Sequence, residues 1–135
     1  MNKVFLGGTC NESTWRSKLI PVLDVEYFNP VVEDWTPECQ QIEEYEKANV
    51  CNIHLYVITN RMKGVFSIAE AIESAMTRDK QTILHIVPEG FSSAQLSSLQ
   101  AVANMVRKHG GISYLSEDLH RTARVINNSY SSKVA

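Results

Sequence analysis

The chain has 135 residues, 44% hydrophobic and 21% charged, which suits one domain with a proper apolar core. Its net charge is −2 and its 13 Lys and Arg residues are scattered, so the electrostatic footprint for a nucleic acid polymer is missing. No apolar run nears the length that spans a bilayer, and Val4-Phe5-Leu6 is too short for the core of a signal peptide, so a cytoplasmic protein with no membrane partner is expected. The three cysteines, Cys10, Cys39 and Cys51, lack the paired spacing of a disulfide framework or zinc site, so free thiols and no bound metal are expected. Cys10 lies in a Gly-rich turn, and nothing local activates it as a nucleophile.

Lys3 to Gly7 reads as a first strand, opening into the loop Gly8-Thr9-Cys10-Asn11-Glu12-Ser13-Thr14. Trp15 to Val22 follows as a short helix, capped by Ser13 or Thr14. A strand, a Gly-Gly turn and a helix start form a geometry for a sugar or phosphate, since glycines admit close backbone approach and a helix start offers free N–H groups. A plain tight turn is the alternative, and the spacing of a dinucleotide or ATP fingerprint is lacking. Val25 to Phe28 is a second strand, ended by Asn29-Pro30, and 31–35 is an irregular loop. Thr36-Pro37-Glu38 starts a helix that runs to about Asn49. Its apolar stripe is Cys39, Ile42, Tyr45 and Ala48, and Glu38, Glu43, Glu44 and Glu46 are expected on a solvated face.

Ile53 to Ile58 is a near-continuous apolar run, as in strands buried on both faces of a parallel sheet, and His54 within it reads as a satisfied core histidine. The polar turn 59–62 leads to a helix from about Val65 to Arg78, expected to bury Phe66, Ile68, Ala69, Ile72, Ala75 and Met76. Ser67 followed by Glu70 has the spacing of a capping box, so Glu70 reads as either a cap or a functional carboxylate. Gln81 to Val87 is a fourth strand. Ser92 or Ser93 caps a helix to about His109, which Gly110-Gly111 closes. Ile112 to Tyr114 is a fifth strand, and a last helix carries Leu119, Ala123 and Ile126. Residues 1–130 read as the domain and 131–135 as a frayed tail.

Five strands, each followed by a helix, predict a single-domain, doubly wound α/β fold: a flavodoxin-like parallel sheet of order 2-1-3-4-5 with helices on both faces. Ligands of such sheets bind at the carboxyl ends of the strands, at the switch point between strands 1 and 3. The loops after strands 1, 2 and 3 meet there and bring Trp15, Asn29, Glu33, Asp34, Trp35 and Glu70 together. That convergence favours a functional Glu70, and a helix start favours a carboxylate electrostatically.

The ordered set Phe5-Leu6-Gly7-Gly8-Thr9 with Trp15, Asn29-Pro30 with Asp34-Trp35, the run 51–59, and Gly64 to Ala71 resembles the nucleoside 2-deoxyribosyltransferase-like superfamily, in its small bacterial and phage branch. The resemblance implies that a glutamate on the helix after strand 3 attacks C1′ of a 2′-deoxynucleoside or deoxynucleotide, expels the base and forms a covalent sugar–enzyme ester. A second base or water then resolves the ester. Glu70 matches that glutamate, with Glu73 a weaker match one turn on. Asn52 stands where these enzymes usually carry an acid, and an Asn cannot donate a proton as a general acid. Phe5 stands where they tend to carry a Tyr that orients the nucleophile. Asp34 or Glu33 is then left for the acid role.

Gly7, Gly8, Thr9, Asn11, Ser13, Asn29 and Ser67 are candidate contacts to sugar or 5′-phosphate, with Arg16 the one cation of the first loop, and Trp15 and Trp35 are candidate stacking partners for the base. No cofactor is expected, and the resemblance implies a homo-oligomer in which a neighbour completes the site. A nucleotide-binding or regulatory protein that does not turn over its ligand, and a structural or host-interaction protein, are the alternatives.

Overall fold

The computed structural model describes residues 1–10 and 13–134. Asn11 and the final tail residue, Ala135, lie outside them. The elements alternate as expected: β1 (Lys3–Gly8), α1 (Trp15–Leu19), β2 (Glu26–Phe28), α2 (Pro37–Tyr45), β3 (Ile53–Ile58), α3 (Phe66–Ala75), β4 (Gln81–Ile86), α4 (Ser93–Lys108), β5 (Ile112–Leu115) and α5 (Leu119–Val134). The strands form a five-stranded, all-parallel sheet of order β2-β1-β3-β4-β5. β1 is paired on both sides, with Phe5 opposite Phe28 of β2 and His54 of β3. The chain reverses direction of travel across the sheet at β1, so the crevice between the ends of β1 and β3 is the switch point.

Every residue of β3 is buried, because helices cover both faces of the sheet. Val4, Leu6, Ile53, Leu55, Val57 and Ile83 pack with Trp15 and Leu19 of α1 and Ala123 and Ile126 of α5. Phe5, Tyr56, Ile58, Leu84 and Ile86 pack on the other face with Ala71 and Ala75 of α3 and Leu99, Ala103 and Val106 of α4. Ser92 caps α4 in a full capping box, its Oγ accepting from Gln95 N while Gln95 Oε1 accepts from Ser92 N. Among the described residues no helix is long and apolar enough to cross a membrane.

Two helices present different faces from those expected. In α3 Ala75 is buried and Ile68 and Ile72 pack against the core as expected, but Glu70, Ala71 and Ser74 are buried too, whereas Ala69 is exposed, Phe66 is 73% exposed and Met76 63%. Small Ala and Ser side chains let this face lie close on the sheet, and that rotation carries Glu70 inward. α2 buries no residue, and Ile42 and Tyr45 of the expected core stripe are 56% and 61% exposed. α2 is extended by one π-helical turn, Glu46–Val50, closed by a 2.7 Å bond from Cys51 N to Glu46 O. Glu43 and Lys47, one turn apart, face the protein instead and are half-buried.

Candidate active site

At the switch point a cavity of about 390 Å³ opens between the ends of β1 and β3, the loop after β2, α2 and the start of α3. Gly7 and Gly8 form its floor, Trp35 and Phe66 flank it, and Glu43, Ser67 and Glu70 supply its polar groups. The glycines are dictated by β3. A Cβ on Gly7 would stand 2.7 Å from the Tyr56 ring, and one on Gly8, whose φ is +110°, 2.2 Å from Val57 O.

Glu70 is 8% exposed, and its Oε2 accepts a 2.7 Å charge-assisted bond from Lys47 Nζ. The capping box expected for it does not form: Val65 is the N-cap of α3, and no side chain caps the helix. Glu70 therefore spends its carboxylate on the cavity rather than on its own helix. Lys47 Nζ also lies 5.9 Å from the centroid of Phe5, so the ring at the expected tyrosine position packs against the cation that holds the carboxylate.

Glu43 is the second carboxylate of the cavity. Partial burial, and then the charge of Glu70, raises its pKa above the ordinary 4.5. Arg16 closes the cavity from the β1 side. Its Nε and Nη2 donate to Leu6 O at 3.1 and 2.9 Å, its Nη1 donates to Thr9 O at 2.8 Å, and its guanidinium stacks 4.2 Å from the Trp15 ring centroid. Burial pulls the Arg16 pKa below its usual value. Two side chains thus clasp the carbonyls of Leu6 and Thr9, since Trp15 Nε1 also donates to Thr9 O, at 2.9 Å.

Of the residues proposed from sequence, Gly7, Gly8, Trp35, Ser67 and Glu70 meet at the cavity. Asn52 does not join them. It precedes β3, at the amino edge of the sheet, where its Oδ1 accepts from Lys3 N at 2.8 Å and its Nδ2 donates to Asn2 Oδ1 at 2.8 Å. Asp34, Glu33 and Glu73 are exposed and outside the cavity lining. Thr9 is 4% exposed, and its Oγ1 accepts from Thr59 N at 3.0 Å. Asn29 Oδ1 accepts from Val31 N at 3.1 Å, a local turn that aims Pro30 and Val31 at the cavity. Trp15, 3% exposed, packs into the core, and with Ser13 borders a separate cavity of about 460 Å³. Cys10 lines the cavity, where its Sγ lies 3.4 Å from Gly8 O and 3.8 Å from Arg16 Nη2, neither of which can take its proton.

Glu43 and Lys47 were the residues missed. Their spacing of four on α2 was the available signal, hidden because Ile42 and Tyr45 read as the buried stripe.

A family model described as nucleoside 2-deoxyribosyltransferase like matches residues 1–91. The chain belongs to the nucleoside 2-deoxyribosyltransferase-like family. The matched span covers β1 through β4 and hence every residue of the cavity. No curated protein and no solved structure matches the chain.

Proposed function

We propose that the protein cleaves or transfers the N-glycosidic bond of a 2′-deoxynucleoside or its 5′-nucleotide, with Glu70 as nucleophile and Glu43 as general acid. The observation that carries this reading is the buried Glu70 carboxylate held by Lys47 in a cavity flanked by aromatic rings. Lys47 occupies Oε2, which leaves Oε1 for attack. Glu70 Oε1 bonds to C1′ as the C1′–N bond breaks, and the bond's electron pair leaves with the base. Glu43 protonates the departing nitrogen. Water or a second base then attacks C1′, the ester bond breaks back to the carboxylate, and Glu43 takes the proton that the acceptor loses. The oxocarbenium-like transition state is favoured by a carboxylate close to C1′. Two carboxylates in one cavity, one ion-paired and one with a raised pKa, fit a division between nucleophile and acid. Trp35, 59% exposed at the rim, is suited to stack on a base.

The apolar rim supports a homo-oligomer. Val31, Val32, Trp35 and Phe66 are exposed and line the cavity, and Ile42 and Tyr45 are exposed on the outside of α2, the helix that carries Glu43. A second copy on this face would cover them and close the site to water.

The test is incubation with each deoxynucleoside and deoxynucleotide, with and without a second base, followed by chromatography for free or exchanged base. Base release that Glu70→Ala and Glu70→Gln abolish supports the reading. Tight binding of these compounds with no base released overturns it in favour of a ligand-binding protein.

A further inference from the structure

His54 is 3% exposed, and its ring is bonded at both nitrogens. Nε2 lies 2.7 Å from Lys47 O and Nδ1 2.7 Å from Ser74 Oγ, and Ser74 Oγ lies 2.8 Å from Tyr56 Oη. The direction of this chain follows from chemistry. A carbonyl only accepts, so Nε2 carries the ring proton and donates to Lys47 O. Nδ1 then accepts from the Ser74 hydroxyl, which in turn accepts from Tyr56 Oη–H. Every donor is used, and the chain ends on the backbone of the residue whose ammonium holds Glu70. That carbonyl belongs to the π-helical turn, whose backbone is widened relative to an α-helix, with bonds that run five residues back as from Cys51 N to Glu46 O.

We propose that His54, oriented by Ser74 and Tyr56, is a positioning residue that fixes the π-helical turn so that Lys47 is held against Glu70. The inference rests on the reading of Glu70 as nucleophile, but its structural part can be measured without turnover. The fold also supplies a control. His85 makes the same set of bonds on the other face of the sheet, with Nε2 2.7 Å from Ser116 O, Nδ1 2.7 Å from Thr122 Oγ1, and Tyr114 Oη bonded to Thr122. Its chain ends on a carbonyl remote from Glu70. A histidine that only fills and satisfies the core is expected to behave as His85 does.

The experiment reads the Lys47 side-chain ammonium by proton–nitrogen NMR on 15N-labelled protein without ligand. Wild type, His54→Leu, His54→Gln, Ser74→Ala and His85→Leu are compared, each at a temperature where circular dichroism shows it folded. In wild type a held ammonium exchanges slowly with water and gives a signal that Glu70→Gln removes. His54→Leu is expected to lose this signal, Ser74→Ala to weaken it, and His54→Gln, whose amide can donate and accept in the same places, to keep it. His85→Leu keeps it too. With a substrate in hand, His54→Leu lowers kcat by about 100-fold while KM stays within about twofold, as for a misplaced nucleophile. Retention of the Lys47 signal in His54→Leu, or its equal loss in His85→Leu, overturns the positioning role whatever turnover does. Absence of base release in wild type would sink the reading of Glu70 instead, while the NMR comparison still decides the role of His54.

Discussion

Lys47 Nζ and Glu70 Oε2 are 2.7 Å apart, joining the π-helical turn after α2 to the N-terminal half of α3 across 23 residues of sequence. Both side chains are largely removed from water, at 17% and 9% exposure, so each supplies most of the other's solvation. Breaking such a pair by removing one member leaves a buried charge without a counterion. Lys47→Met is therefore expected to lower stability by about 3 kcal/mol, read as a lower urea midpoint with an unchanged m-value. It also lowers kcat for base release, by on the order of 10- to 100-fold. An unchanged urea midpoint would show that the pair contributes nothing to the fold.

Glu43→Gln tests the proposed acid. Its raised pKa means that the protonated form persists to higher pH than for an ordinary glutamate, and that the acid is lost as pH rises through that value. Wild type should therefore show a rate that falls on the alkaline side, and Glu43→Gln should flatten that limb while lowering kcat by about 100-fold or more. A deoxynucleoside of 7-methylguanine carries a base that departs without protonation. The variant should recover most of its rate on that substrate, and a loss as large as on ordinary deoxynucleosides would count against an acid role.

His54 and His85 make the fold sensitive to acid. Burial lowers both pKa values, that of His54 from 6.5 to about 4. Between those two pH values the unfolded chain binds a proton at His54 that the folded chain excludes, so stability is complete above pH 6.5 and is lost as pH falls towards 4. For His54 alone the loss between pH 7 and pH 5 is about 2 kcal/mol, and His85 adds to it in the same direction. Urea denaturation at the two pH values measures it, and His54→Gln should remove the His54 share. A midpoint independent of pH over that range contradicts the burial argument.

Gly7→Ala and Gly8→Ala separate two kinds of intolerance. At Gly7 the added methyl meets the Tyr56 ring, a side chain locked by its bond to Ser74, and a destabilisation of about 1–3 kcal/mol is expected from overpacking. At Gly8 it meets the backbone of Val57 with φ positive, so neither neighbour nor chain can yield. Thermal melts should show Gly8→Ala as the more severe, to the point of insoluble expression.

Ile42→Glu with Tyr45→Glu tests the exposed apolar face. These side chains are more than half exposed, so the fold should tolerate the charges, with a melting temperature within a few degrees of wild type. Sedimentation should show wild type as an oligomer and the double variant as a monomer. A monomeric wild type refutes the oligomer.

By itself the sequence determined the alternation of strands and helices, and through the rules of right-handed crossover it determined the order β2-β1-β3-β4-β5. It also placed Glu70 at the switch point, because a residue just after a strand's carboxyl end in a parallel sheet has few other places to go. The same rule, applied strictly, excludes Asn52, which precedes β3 and so lies at the opposite edge. Tertiary structure alone decided which face of α2 turns inward. A stripe of Ile42 and Tyr45 predicts burial, yet α2 lies over the Glu70 carboxylate and the cavity beside it, so Lys47 turns in to Glu70, Glu43 lines the cavity and the apolar side chains are left outside. Periodicity records that a helix has two faces. Which face meets the body of the protein depends on what the rest of the chain places beneath it, and here that is a buried carboxylate in need of a cation.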